Sequence, residues 1–203
     1  MALSIQLERV YKRFDREWII KDFSYHFQTG APYGIWGPNG SGKSTLLRLI
    51  SGHLSASRGR IEFRFNQQNL AASSLYPYLS ICAPYIDPIE ELSLTEAIQF
   101  HFRFKKLRAG LDLSVLPQVF QLDGHQQRRI ASFSSGMRQR VQLGLAICSD
   151  TPLLLLDEPS VTLDENGRDW LQSLLRQQRD DRLVIIASNE RSDLAQCGTI
   201  IEI

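Results

Sequence analysis

The sequence predicts an α/β fold with a parallel β-sheet, an antiparallel β region at its edge and an inserted helical subdomain. Two continuous apolar runs, residues 153–156 and 183–187, have the pattern of strands that are buried on both faces. One helical pattern, at residues 137–148, precedes the first run, and a second, at residues 166–178, lies between the two runs. This order of strands and helices predicts parallel strands covered by helices, with ligands at the carboxyl ends of the strands.

The first part of the chain is predicted to hold several strands and one helix. The strands are residues 3–10 (an edge strand), 18–27, 33–36, 60–65 and 78–82. The helix covers residues 43–50, and Gly52 is well placed to end it. Residues 66–74 are polar and are predicted to form a loop.

The middle of the chain changes character after Pro84 and Pro88. A helical pattern rich in phenylalanine covers residues 94–106, and a polar, partly helical stretch follows it. We interpret residues 86–132 as a helical subdomain inserted into a single domain that covers residues 1–203. A last short strand is predicted at residues 199–203.

Charge and cysteine content narrow the classes of function. Lysine and arginine total 23 against 22 acidic residues, so the overall charge gives no support for a nucleic-acid partner. The basic clusters at residues 103–108 and 128–129 are interpreted as solvated helix faces. Cys82, Cys148 and Cys197 lie far apart without metal-ligand spacing, which favours a reducing, cytosolic compartment. No apolar run approaches the ~20 residues that span a bilayer, so any membrane role is expected to come through a partner.

A glycine-rich segment between the strand at 33–36 and the helix at 43–50 matches the phosphate-binding pattern G-x-x-x-x-G-K-[ST]. Its residues are Gly37, Pro38, Asn39, Gly40, Ser41, Gly42, Lys43, Ser44 and Thr45. The glycines allow the backbone N–H groups to point at phosphate oxygens. Lys43 is expected to bind the β- and γ-phosphates of ATP, and Ser44 to offer its hydroxyl to Mg²⁺. The sequence therefore predicts an ATP-binding loop.

An acidic pair follows the apolar run at 153–156. Asp157 is expected to hold Mg²⁺, usually through water, and Glu158 to orient or deprotonate the attacking water. Taken alone, the two residues could be a solvated pair of carboxylates at the end of a strand. A phosphate-binding loop requires such a partner, and this favours the catalytic interpretation.

A further segment connects the loop and the acidic pair to a known family. It consists of Phe133, Ser134, Ser135, Gly136 and Met137, followed by Arg138, Gln139 and Arg140. With the other motifs in this order, the chain resembles an ATP-binding-cassette (ABC) ATPase, the nucleotide-binding subunit of ABC transporters. The family signature reads Leu-Ser-Gly-Gly-Gln, which Ser134 and Gly136 match and the other three residues do not. Ser134 taken alone is explained equally well as a helix N-cap.

The resemblance covers nearly the whole chain and implies a P-loop NTPase (RecA-like) core. It implies that two copies pair head to tail on ATP, with Ser134, Ser135, Gly136 and Met137 completing the partner's site. It also implies that Asp164 contacts the partner, and that a separate integral membrane subunit holds the pair at the cytoplasmic face of the membrane. For the aromatic ring that stacks on adenine we choose Phe14, with Tyr11 and Trp18 as alternatives. Each of the three rings is about as well explained as a buried strand aromatic.

Two positions depart from the family pattern. Tyr85 or Pro84 stands where the family carries a glutamine that touches Mg²⁺ and water. Asn189 stands where the family carries a switch histidine. Asparagine can donate a hydrogen bond to a γ-phosphate but cannot become cationic. We expect Asn189 to act in catalysis with Lys43 and Glu158, and hydrolysis to be slow.

Two alternatives to a transporter ATPase remain open on the sequence. One is an ABC protein without a membrane partner that acts on DNA or ribosomes, which the balanced charge does not favour. The other is an ATP-sensing module with little hydrolysis, which Tyr85 and Asn189 favour and the intact Glu158 opposes.

Overall fold

Two β-sheets and five α-helices are present in residues 2–203, the part of the chain that the computed structural model describes. The strands are β1 Leu3–Phe14, β2 Glu17–Gln28, β3 Tyr33–Trp36, β4 Arg58–Phe65, β5 Gln68–Leu70, β6 Leu79–Cys82, β7 Leu153–Asp157, β8 Leu183–Ser188 and β9 Thr199–Glu202. The helices are α1 Lys43–Ile50, α2 Leu94–His101, α3 Leu116–Val119, α4 Ser135–Cys148 and α5 Glu165–Gln178.

The larger sheet is parallel throughout and has the order β6-β7-β8-β3-β9. Its strand β7 is fully buried, and successive side chains enter two different cores. Leu154 and Leu156 pack in the core with α4 and α5, whereas Leu153 and Leu155 pack against α1 and the antiparallel sheet. This burial on both faces explains the continuous apolar run and confirms the predicted α/β architecture.

The smaller sheet is antiparallel and has the order β2-β1-β4-β5. The prediction of an edge strand at residues 3–10 is wrong, because β1 pairs with β2 on one side and with β4 on the other. The β4 partner lies far along the chain, and local alternation carries no information about such a pairing.

The prediction of a loop at residues 66–74 is also wrong in part, because β5 lies inside it. Asn66 and Gln67 both have positive φ, at 47° and 68°. They form the two-residue turn between Phe65 and Gln68, the arrangement that suits the twist of a tight hairpin. The polar composition of the segment concealed this short strand.

Helices α2 and α3 and two 3-10 turns, Leu113–Val115 and Ile130–Ser132, lie between residues 86 and 132. Helix α2 begins with a capping box, in which Ser93 and Glu96 exchange side-chain and backbone hydrogen bonds. It ends at His101, earlier than predicted, because the chain turns so that Lys105 reaches back to β6. Lys105 Nζ donates to the Leu79 carbonyl at 2.7 Å, so this lysine is buried and is not part of a solvated helix face.

Helix α4 packs closely against Phe120, the residue that follows α3, at Gly144. A Cβ atom at this position would lie 2.3 Å from the ring of Phe120, which is fully buried. Only glycine therefore allows this close approach of α4 to the Phe120 ring. No helix in residues 2–203 is both long and apolar enough to cross a bilayer.

Candidate nucleotide-binding site

The predicted phosphate loop connects β3 to α1 at the carboxyl edge of the parallel sheet. Gly40 and Gly42 have φ values of 84° and 106°, which residues with a Cβ rarely adopt. Gly37 has no room for a side chain, since a Cβ would lie 2.4 Å from the Ile203 carbonyl oxygen. Gly42 is the N-cap of α1 and has no side chain to accept a hydrogen bond. The first N–H groups of the helix are therefore available to bind an anion.

Lys43 lies at the centre of the site and is almost fully buried. Its Nζ donates to the carbonyl oxygens of Gly37 at 2.8 Å and Pro38 at 3.1 Å. The same atom lies 3.1 Å from Oε1 of Glu158, so the loop lysine and the acidic pair are in direct contact. The structure thus brings together two motifs that are far apart in the sequence.

Asp157 ends strand β7 and is fully buried. Neither of its carboxylate oxygens receives a hydrogen bond from any described residue. Burial raises the pKa of Asp157; the Ser44 hydroxyl opposes this rise, and the charge of Glu158 adds to it. Two unpartnered carboxylate oxygens near a serine hydroxyl are hard oxygen donors of the kind that Mg²⁺ prefers.

Glu158 has an unusual backbone conformation, with φ of 46°. Its N–H donates to the Ala187 carbonyl at 2.8 Å, which ties it to strand β8. Its Oε2 lies 3.1 Å from Ser188 Oγ and accepts the backbone N–H of Asn189 at 3.2 Å. A strained residue held by several partners is a common feature of catalytic positions.

Asn189 is exposed at the end of β8, on the same side as the phosphate loop. Its Nδ2 donates to Oδ1 of Asn39 at 3.1 Å. The predicted catalytic position therefore contacts the loop through its side chain and Glu158 through its backbone. Ser188, one residue earlier, was not predicted, although its place at the carboxyl end of a buried strand was a usable signal.

The signature residues lie elsewhere, at the N-terminus of α4. Ser134 caps this helix by accepting the N–H of Met137 at 3.2 Å, so the N-cap interpretation is correct. The four signature residues line a cavity of about 450 Å³ together with Asp164. Asp164 caps α5 through the Gly167 N–H at 2.8 Å, and it lies 3.6 Å from a guanidinium nitrogen of Arg140. Ser134 and Ser135 are exposed, so the helix N-terminus is open to a partner.

The candidate aromatic residues lie near the β1–β2 hairpin. Tyr11 and Trp18 pack edge to face at 5.8 Å, and the guanidinium groups of Arg13 and Arg58 lie over Trp18 at 5.3 and 5.2 Å. The ring of Phe14 is less engaged: it is 42% exposed, with one lysine ammonium group above it.

Tyr85 follows β6 and is 42% exposed. The guanidinium group of Arg48 lies 3.9 Å from the centre of its ring. Burial raises the pKa of Tyr85, and contact with Arg48 lowers it. The charge of Arg48 also lowers the pKa of Asp157, as the smallest of the effects on that carboxyl group. We did not predict Arg48 from the sequence; its only signal was its place on the helix after the loop.

The parallel sheet, the phosphate loop and the acidic pair define a P-loop nucleotide-binding domain. The family profile described as ABC transporter matches residues 20–161, and the chain belongs to this family. This confirms the prediction of an ATP-binding cassette of the ABC transporter family.

The names of several curated relatives describe transport. The chain is 32% identical to a sulfate/thiosulfate import ATP-binding protein of Agrobacterium fabrum, over 88% of this chain and 53% of the relative. It is 29% identical to the Nod factor export ATP-binding protein I of Rhizobium johnstonii, over 86% of this chain and 57% of the relative. An uncharacterized ABC transporter ATP-binding protein of Bacillus subtilis is 26% identical, over 98% of this chain and 91% of that one. The chain thus spans a little over half the length of the first two.

Solved structures share the fold. A dimeric ATP-binding cassette in a post-hydrolysis state with ADP and Pi superimposes with a TM-score of 0.83 at 20% identity, over 98% of this chain and 94% of that one. A bacterial Atm1-family ABC exporter with ATP bound gives a TM-score of 0.82 at 23% identity, over 100% of this chain and 37% of that one. These likenesses confirm the P-loop NTPase fold.

Proposed function

We propose that this chain binds ATP with Mg²⁺ and hydrolyses it as one half of a head-to-tail pair that drives a separate integral membrane subunit. The observation that carries the proposal is the cluster of Lys43, Asp157 and Glu158 at one edge of the parallel sheet. The signature lies at a different cavity, so one copy holds two half-sites. Pairing two copies would complete both half-sites.

Asp157 and Ser44 would hold Mg²⁺. Across residues 2–203 there is no cluster of three or more His, Cys, Asp or Glu side chains that could cage a metal ion. Mg²⁺ at nucleotide sites is usually bound by one or two carboxylates together with the phosphates, and this donor set fits that arrangement. Bound there, the ion would supply positive charge to the phosphate oxygens.

Glu158 would act as the general base toward water. Its carboxylate is paired with Lys43, and a phosphate group would compete for the same ammonium. Lys43 would then neutralise the β- and γ-phosphates, while Glu158 would accept the proton of the attacking water. The loop residues from Gly37 to Thr45 would bind the phosphates through their N–H groups, and Phe14 would stack on adenine.

The N-terminus of α4 would face the γ-phosphate held by the other copy. Ser134, Ser135, Gly136 and Met137 form this first turn and its cap, where the helix dipole favours an anion. Asp164 lies in the same cavity and would contact the partner copy. The dimeric cassettes with the same fold support this arrangement.

The membrane subunit would bind the surface around Tyr85 and the helical subdomain that we propose for residues 86–132. Five exposed apolar side chains lie within this short part of the sequence: Tyr85, Ile86, Ile89, Phe100 and Phe104. Through this contact the chain would sit at the cytoplasmic face of a membrane. Relatives named for export and for import both match, so we assign the cargo and its direction to the membrane subunit.

Slow hydrolysis is part of the proposal, because Tyr85 and Asn189 replace side chains that the family uses near the γ-phosphate. An ATP-sensing module is the extreme form of this case. ATP turnover by the wild-type chain, by Lys43→Ala and by Glu158→Gln distinguishes an ATPase from an ATP-sensing module. Purification from native membranes tests the membrane partner, because it would identify a co-purifying membrane subunit. We expect measurable turnover that both substitutions abolish; equal rates in all three proteins would refute an ATPase.

A further inference from the structure

Asp193 is a buried acidic residue behind the candidate catalytic site. It belongs to the 3-10 turn Arg191–Leu194 that follows β8, and it is only 4% exposed. No lysine or arginine in the described part of the chain forms an ion pair with it. A carboxylate that is buried without a cation is costly to keep charged.

The hydroxyl of Ser188 joins Asp193 to Glu158. Ser188 Oγ lies 2.7 Å from Oδ2 of Asp193 and 3.1 Å from Oε2 of Glu158. It also accepts the backbone N–H of Glu190 at 3.0 Å, and the Ser188 side chain is fully buried. A hydroxyl carries one proton, so it can donate to only one of the two carboxyl groups. The other carboxyl group must then be protonated, so that it donates a hydrogen bond to Ser188 Oγ. Otherwise its oxygen faces a lone pair of Ser188 Oγ with no hydrogen between them.

Both carboxylate oxygens of Glu158 face hydrogen-bond donors. Its Oε1 lies 3.1 Å from the Lys43 ammonium, and its Oε2 accepts the Asn189 N–H. Both oxygens of Glu158 thus act as acceptors, and Oε2 can accept the Ser188 hydroxyl as well.

The surroundings of Asp193 favour its protonated form. Burial raises its pKa, and the negative charge of Glu158 adds to the rise. The hydroxyls of Ser160 and Ser188 and the more distant charge of Arg168 oppose it, but none of these is a paired cation. This direction agrees with a proton on Asp193, the carboxyl group that lacks the donors found at Glu158.

We propose that Asp193 is a positioning residue for Glu158 and that it acts as a protonated acid through Ser188. Asp193 donates to Ser188 Oγ, and the Ser188 hydroxyl donates in turn to Oε2 of Glu158. This chain of hydrogen bonds keeps the strained Glu158 in the orientation in which it takes a proton from water. The inference rests on the proposed role of Glu158 as the general base.

Substitution by asparagine and by alanine tests this directly. Asp193→Asn has the shape of the protonated acid and keeps a donor for Ser188, whereas Asp193→Ala removes the connection. We expect kcat for ATP within about threefold of wild type in the asparagine variant and about tenfold or more below it in the alanine variant. The affinity for ATP is expected to stay unchanged in both. Asp150→Asn is the matched control, because the Asp150 carboxylate forms an ion pair with the exposed Lys106.

Each contrary result has a distinct meaning. An asparagine variant as slow as the alanine variant would show that the ionised carboxylate is required. An alanine variant as fast as wild type would overturn the positioning role. If the alanine variant does not fold, Ser188→Ala cuts the same chain of hydrogen bonds and must lower kcat to a similar extent, or the proposal fails.

Infrared spectroscopy gives a readout that does not depend on turnover. The wild-type chain should show the C=O stretch of a protonated carboxylic acid that is missing from Asp193→Asn. A difference spectrum without that band would overturn the assignment of the proton to Asp193. A wild-type chain that shows the band but hydrolyses no ATP would refute the proposed function and leave the hydrogen-bond assignment intact.

Discussion

The ammonium group of Lys43 lies 3.1 Å from Oε1 of Glu158, so the phosphate-loop cation and the proposed base neutralise each other. Lys43 is 5% exposed, and water competes little for its ammonium group. A phosphate that binds Lys43 would weaken this ion pair and free the Glu158 carboxylate. Nucleotide binding and activation of the base are thus expected to be coupled through one atom, Lys43 Nζ.

Glu158→Gln tests this coupling. We expect hydrolysis to fall by about 100-fold or more because the general base is lost. We also expect ATP to bind about two- to fivefold more tightly, because Lys43 no longer has a charged competitor. Turnover and the Kd of a fluorescent ATP analogue measure the two effects. Glu62→Gln is the control, since Glu62 pairs with Arg60 and Arg64 on β4. Unchanged affinity in Glu158→Gln would argue against the competition.

Asn189→His is expected to raise kcat about tenfold. The amide of Asn189 donates to Asn39 across the site but cannot carry charge, whereas an imidazole can stabilise the charge of the transition state. Steady-state turnover in the presence of the membrane subunit is the measurement. Asn69→His, an exposed change on β5, is the control. If wild type and Asn189→His turn over ATP equally fast, Asn189 does not limit hydrolysis.

Gly144→Ala is expected to destabilise the chain by about 1–3 kcal/mol, from overpacking against Phe120. In an open helix the same change would stabilise by up to about 1 kcal/mol, so the sign of the effect reports the contact. The new Cβ would meet the Phe120 ring at 2.3 Å, and that ring is fully buried. Urea unfolding measures the difference. Asp169→Ala, at an exposed position on α5, should change stability by no more than about 0.5 kcal/mol. A stabilised Gly144→Ala variant would contradict the contact.

His101 should make the chain less stable as pH falls. Burial, together with the charge of Lys105, lowers its pKa from 6.5 to about 4. The unfolded chain therefore binds a proton below about pH 6.5 that the folded chain binds only near pH 4. The loss of unfolding free energy should develop across this window, reach at most roughly 3 kcal/mol, and be absent above it.

His101→Gln should remove most of this pH dependence. Equilibrium urea unfolding at several pH values between 4 and 7 measures it. His26→Gln, at an exposed position on β2, should leave the pH dependence as in the wild type. Parallel pH profiles for wild type and His101→Gln would show that another group is responsible.

The local sequence was sufficient to predict the strands of the parallel sheet and the phosphate loop. The runs that became β7 and β8 are apolar at every position because both faces are buried, and this needs no knowledge of neighbours. Gly40 and Gly42 had to be glycine because of their positive φ values. The carboxyl end of β7 placed Asp157 and Glu158 without any further information. The roles we give to these residues remain proposals.

Tertiary structure decided the features that depend on distant partners. The second neighbour of β1 and the burial of Lys105 against Leu79 arise from pairings between segments far apart in the chain. Arg48 over Tyr85 and Asp193 behind Ser188 are contacts of the same kind. A periodic pattern records which side of an element is buried, whereas a hydrogen bond or ion pair requires two positions that only the folded chain brings together.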